Sequence, residues 1–90
     1  MNDSKEKALI NFKKACSHCD KIIEMINKDE YCIDIMQQNL AVIGLLKSAH
    51  QMLMEGHLRG CFKGAMGAKN EAKKKNMIEE ILKVTKIYNK

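Results

Sequence analysis

Apolar side chains recur along this chain at intervals of three and four, the signature of helices that bury one stripe. In the first segment Ala8, Phe12, Ala15, Cys19, Ile22 and Ile26 follow one another at spacings of four, three, four, three and four. This is a heptad seam and predicts a helix over about residues 4–28. Ser4 supplies a hydroxyl for the N-cap, with Lys7 where a capping box would carry Glu, and Asn27-Lys28-Asp29 supplies the stop.

The second segment, about residues 30–61, carries two interleaved stripes. Ile33, Met36, Leu40, Ile43, His50, Met54, His57 and Cys61 form one; Cys32, Ile35, Asn39, Val42, Leu46, Ala49 and Leu53 form the other. A helix apolar on two faces has two partners. One is the first helix, and the other is the same helix from a second copy of the chain. Gly44 and Gly56 each cost about 1 kcal/mol relative to Ala inside such a helix, yet the period stays in phase across both.

Residues 64–70 are rich in glycine and small side chains and read as a connection. Beyond them Met77, Ile78, Ile81, Leu82, Val84, Thr85 and Tyr88 predict a third, shorter amphipathic helix over about 71–89, with Lys73, Lys74 and Lys75 in a solvated first turn. There is no internal repeat. The expectation is a single all-α domain over residues 1–90, with a three-helix subunit.

Composition sharpens this. The chain is 46% hydrophobic with no proline or tryptophan, two Phe and two Tyr, so its core consists of Leu, Ile, Met, Val and Ala, as in a helix bundle. The methionines at 25, 36, 52, 54, 66 and 77 fall largely at helical spacing, as core filler. A 90-residue chain buries only about 60–65% of the surface that its unfolded form exposes, so a second subunit would help. The net charge of +5 would attract nucleic acid or an anionic membrane surface in an oligomer, or merely keep a small protein soluble. No run approaches the roughly 20 apolar residues of a membrane span and the start lacks a signal-peptide pattern, so a cytoplasmic location is expected. In a reducing compartment the four cysteines read as thiols or metal ligands, not disulfides.

His57 and Cys61 are four residues apart, which on a helix brings imidazole and thiolate to one face, about 5–6 Å apart at Cβ. Cys32 is 25 residues before His57, about 37 Å along a continuous helix, so the two do not meet within one chain. If two long helices pack antiparallel, Cys32 of one lies beside His57 and Cys61 of the other, and a two-fold axis generates two equivalent sites. Two thiolates and one imidazole form a soft set suited to trigonal Cu(I); Zn(II), which usually takes a fourth ligand, is the alternative.

The first helix adds Cys16, His18 and Cys19. The cysteines stand at i and i+3 and offer a possible second metal site, against which Cys19 simply fills the heptad seam while Cys16 and His18 sit at the surface. His50 reads as a packed or hydrogen-bonded histidine. A Cys and a His could form a nucleophile pair, but an enzyme is not expected: there are no paired carboxylates at a catalytic spacing and no glycine-rich phosphate loop, and three helices offer no large concave pocket.

Tyr31-Cys32-Ile33-Asp34 near the start of the long helix, with His57-Leu58-Arg59-Gly60-Cys61 near its end, resembles the CsoR/RcnR family of bacterial metal-responsive repressors over about residues 9–82. Within that family the Cys, His, Cys pattern resembles the copper(I) sensors. The resemblance implies an antiparallel dimeric four-helix bundle made by the first two helices, and a tetramer of two such dimers. It also implies an apo-protein that binds operator DNA and a metal that lowers this affinity, derepressing efflux genes. By the same resemblance Tyr31 lies near the metal, and Glu79 or Glu80 links the third helix to His57.

The first helix departs from that pattern. Lys13-Lys14-Ala15-Cys16-Ser17-His18-Cys19-Asp20-Lys21 stands where DNA-binding members carry an arginine-rich stretch, and Asp20 replaces an expected basic residue. Lys13, Lys14 and Lys47 still occupy basic positions and are the candidate phosphate contacts. No helix-turn-helix is evident. The alternative function is a copper- or zinc-binding buffer or trafficking protein that has lost operator recognition.

Overall fold

The structure, a computed structural model, describes residues 2–67 and 69–90. Helix α1 spans Asp3–Asn27 and α2 spans Cys32–Gly56; a π-helical stretch His57–Phe62 follows, then the one-turn helix α3, Lys63–Met66, and finally α4, Glu71–Tyr88. The three predicted helical segments are present, and no strand occurs among the described residues. The predicted connection over residues 64–70 is shorter than expected, because α3 takes its first part; Ala68 lies outside the described residues. The chain divides into two compact units, one ending at Gly56 and the other beginning at His57.

In the first unit α1 and α2 pack as a hairpin. The N-cap of α1 is Asn2, not Ser4: the Asn2 side chain accepts from the Lys5 N–H at 2.8 Å, and an amide oxygen caps as well as a hydroxyl. At the other end Lys28 caps the helix, Asp29 adopts a left-handed φ of 53°, the Asp29 N–H bonds to the Ile26 carbonyl and the Glu30 N–H to the Met25 carbonyl, each at 3.0 Å. That pair of bonds is a Schellman stop with Asp in the place usually held by Gly, and it reverses the chain into α2. The Lys28 ammonium lies 2.6 Å from the Glu24 carboxylate, which holds that carboxyl below its ordinary value and raises the lysine.

The seam between the helices differs in part from the predicted one. On α1 the buried or half-buried positions are Ser4, Ala8, Asn11, Ala15, His18, Ile22 and Met25; on α2 they include Ile35, Gln38, Val42, Leu45, Ala49, Met52 and Gly56. Ala8, Ala15 and Ile22 are shared with the predicted seam, whereas Phe12, Cys19 and Ile26 are exposed. The reason is size. Alanines and one glycine let the backbones approach, and a Cβ added at Gly56 would lie 2.7 Å from the Ser4 Cβ.

Two polar contacts bridge the seam. His18 Nε2 and Gln38 Oε1 lie 2.6 Å apart, and the Asn11 amide donates to the Leu45 carbonyl at 3.3 Å.

The larger apolar side chains stay outside. Leu9, Phe12, Ile23 and Ile26 on α1, with Cys16 and Cys19 in step between them, each follow a seam position by one residue. Met36, Ile43, Leu46 and Leu53 on α2 do the same. In an antiparallel pair of right-handed helices the same one-residue step turns both sets to the same side. The hairpin therefore presents one broad apolar face, extended around α2 by Ile33 and Leu40, the latter 66% exposed. A face of this extent on a small domain marks a contact surface.

In the second unit α3 packs on the π stretch and on α4. Asn70 caps α4 by accepting from the Lys73 N–H at 3.1 Å. Lys74, Met77 and Ile81 are half-buried, while Ile78, Leu82, Val84 and Ile87 are exposed. Among the described residues no helix is long and apolar enough to cross a membrane.

Candidate functional site

Cys32 is the first residue of α2 and Gly56 the last. Twenty-four rises of 1.5 Å separate them by about 36 Å. The Cys32 thiol is free and exposed, beside an exposed Tyr31.

His57 and Cys61 both fall in the π-helical stretch, where ordinary α-helix was expected. Gly56, Gly60 and Gly64 recur at four-residue intervals around it, and backbone without Cβ favours the α-helix less than any residue but proline, which lowers the resistance to a widened turn. A π turn bonds i to i+5 and holds more than four residues, so position i+4 falls just short of a full turn instead of just past it. His57 and Cys61 therefore remain neighbours on one face. His57 is half-buried and the Cys61 thiol is free and exposed; π stretches of this kind occur often at functional sites.

Among the described residues no three His, Cys, Asp or Glu side chains converge as a metal site. For Cys16, His18 and Cys19 the cause is visible. Both cysteines lie on the outer apolar face, whereas His18, expected at the surface, is half-buried on the seam and committed to Gln38. His50 is half-buried on α2, and Glu79 and Glu80 are exposed on α4.

A different side of α1 is basic. Lys13, Lys14, Ser17, His18 and Lys21, with Leu45 of α2, line an open cleft of about 530 Å³. Three ammonium groups beside a hydroxyl suit a phosphate. Lys21 is not among the basic positions that the sequence pattern nominates; its position seven residues after Lys14 and four after Ser17, on one helix face, is the signal that identifies it. Lys47 is exposed on α2.

Over residues 4–87 the chain matches the family described as metal-sensitive transcriptional repressors. The copper-sensing transcriptional repressor CsoR of Mycobacterium ulcerans is 39% identical over 66 residues, which is 73% of this chain and 56% of that protein. Proteins of the same description from Mycobacterium tuberculosis H37Rv and Mycobacterium bovis AF2122/97 are 37% identical over 62 residues, 69% of this chain and 52% of theirs. The chain thus spans little more than half the length of these relatives.

Proposed function

The chain belongs to the family of metal-sensitive transcriptional repressors, and from that premise we propose that it is a copper(I)-responsive repressor, whose apo form holds operator DNA and releases it when Cu(I) binds. The metal is held by Cys32 of one subunit together with His57 and Cys61 of the partner subunit. The observation that carries this reading is the length of α2. With Cys32 about 36 Å from Gly56 and His57 bonded directly to Gly56, one chain supplies two ligands or one, and a second copy completes the set.

The broad apolar face of the hairpin supports that second copy. Its position-by-position continuation along both helices fits a four-helix bundle, in which a face on each hairpin covers the other. Exposed Ile78, Leu82 and Ile87 on α4 give a further surface for assembling dimers into a tetramer. Two thiolates and an imidazole leave Zn(II) one ligand short and satisfy Cu(I), which accepts three. Tyr31 adjoins Cys32 at the start of α2, and by the family resemblance Glu80, or its neighbour Glu79, on α4 is the carboxylate that would link to His57.

DNA is held through phosphate contacts by Lys13, Lys14 and Lys21 in the cleft, with Lys47 on α2. Lysines act as point charges without the bidentate geometry of arginine, so this face contributes affinity more than register. Copper and DNA are linked: the factor by which the metal weakens DNA binding is the factor by which DNA weakens metal binding.

The alternative, a copper- or zinc-binding buffer without operator recognition, is favoured by Asp20 and by the scarcity of arginine, with Arg59 the only one in the chain. Anaerobic Cu(I) titration of the reduced protein, with binding to its own promoter fragment followed in parallel, separates the two. Release of bound DNA as one copper per subunit enters supports the repressor; copper binding by an apo-protein that never holds DNA at low salt supports the buffer.

A further inference from the structure

We propose that Cys16 and Cys19 form a second Cu(I) site, a two-coordinate dithiolate on one face of α1 that is complete within a single chain. In the single chain both thiols are free and exposed, and both sit in the apolar stripe between Phe12 and Ile23, on the face that the second copy covers in the dimer of the proposed function. They are deep inside a 25-residue helix, so their backbone spacing is fixed by the helix itself.

That spacing decides what can join them. Helical neighbours at i and i+3 lie about 5–6 Å apart at Cβ, whereas a disulfide requires about 3.5–4.5 Å. A direct sulfur–sulfur bond would distort the helix. A bridging ion needs no distortion, because two metal–sulfur bonds of about 2.3 Å each, the length seen for zinc thiolates, span about 4.6 Å between the sulfurs.

The donor count selects the ion. His18 is held by Gln38 at 2.6 Å on the seam, and within one chain no third donor among the described residues converges on the pair. Zn(II) in a structural site takes four ligands. Cu(I) is soft, favours thiolate and is satisfied by two. Binding exchanges two thiol protons for one Cu(I) with no change of oxidation state, and in the proposed dimer the covering copy limits access of competing water. Lys13, one turn before Cys16, and Asp20, one turn after it, offset each other's charge.

The site is independent of Cys32, His57 and Cys61, and the test keeps the two apart. The full chain and its Cys32→Ser/Cys61→Ser and Cys16→Ser/Cys19→Ser variants are titrated anaerobically with Cu(I) against a chromophoric Cu(I) chelator, following thiolate-to-copper absorption, with helix content checked by circular dichroism. The expected result is two coppers per chain for the unaltered protein and one for each folded variant, with Zn(II) not retained by the Cys32→Ser/Cys61→Ser variant. Single substitutions of Cys16 or Cys19 by Ala in that background should abolish the remaining copper. Absence of copper from the Cys32→Ser/Cys61→Ser variant, or its persistence after loss of Cys16 and Cys19, overturns the proposal. If instead the Cys16→Ser/Cys19→Ser variant binds none while the Cys32→Ser/Cys61→Ser variant binds one, the helix pair stands and the reading under Proposed function fails.

Discussion

His18 of α1 and Gln38 of α2 meet at 2.6 Å across the seam of the hairpin, with both side chains half-buried. This contact takes the only histidine of α1 out of reach of its neighbouring cysteines and fixes the register of the two helices. Gln38→Ala removes the imidazole's partner in a partly dry setting. A loss of about 1–2 kcal/mol is expected, read by urea unfolding at fixed protein concentration because association also contributes to stability. An unchanged midpoint would mean that water replaces Gln38 without cost.

Gly56 and Ser4 close the opposite end of the hairpin. A methyl group at Gly56 would stand 2.7 Å from the Ser4 Cβ, and the clash is with the root of the side chain, which has no rotamer to escape into. Gly56→Ala should therefore destabilise by roughly 1–3 kcal/mol, although alanine is the better helix former by up to about 1 kcal/mol. Ser4→Gly in the same chain should recover part of the loss, and the non-additivity of the two changes measures the contact. A more stable Gly56→Ala protein would show that the helices do not approach so closely there.

The helices were legible because heptad spacing survives any choice of partner. The seam was only half legible: α1 has two adjacent stripes, and Ala8, Ala15 and Ile22 belong to the predicted one. Periodicity alone does not reveal that alanines and glycine take the close contact while Phe12 and Ile26 face outward, since that choice depends on backbone distance. Spacing and resemblance nominate Cys32, His57 and Cys61 as candidate ligands, but they do not reveal the π stretch under His57 and Cys61. It is a local alternative that a three-four pattern cannot distinguish from α-helix, and only the glycines at 56, 60 and 64 hint at it. Lys21 becomes legible only when charges are followed around the helix, where it shares a face with Lys14 and Ser17.

The lysine cleft leads to a prediction about salt. Each phosphate contact removed should lower the slope of log affinity against log salt by about 0.9. Lys14→Ala and Lys21→Ala, singly and together, should reduce the slope by about one and two such steps, with similar weakening on operator and unrelated duplex. Lys83→Ala, on an exposed position of α4, is the control. Equal slopes for all the variants would place the phosphate contacts elsewhere on the protein.

The proposed sharing of the triad between subunits predicts complementation, which is best examined with Cys16 and Cys19 both replaced by Ser so that only one kind of site remains. Homodimers of Cys32→Ala lack a thiolate at both sites, as do homodimers of Cys61→Ala, and each should lose most Cu(I) affinity. When the two are mixed, unfolded and refolded together, about half of the dimers should be heterodimers by random pairing. In each heterodimer the intact Cys32 of one chain faces the intact His57 and Cys61 of the other, while the second site keeps the imidazole alone. The mixture should therefore regain tight Cu(I) binding at about one copper per heterodimer, a recovery that neither parent can give. A site contained in one chain would be broken in every molecule of the mixture, and no tight binding would return.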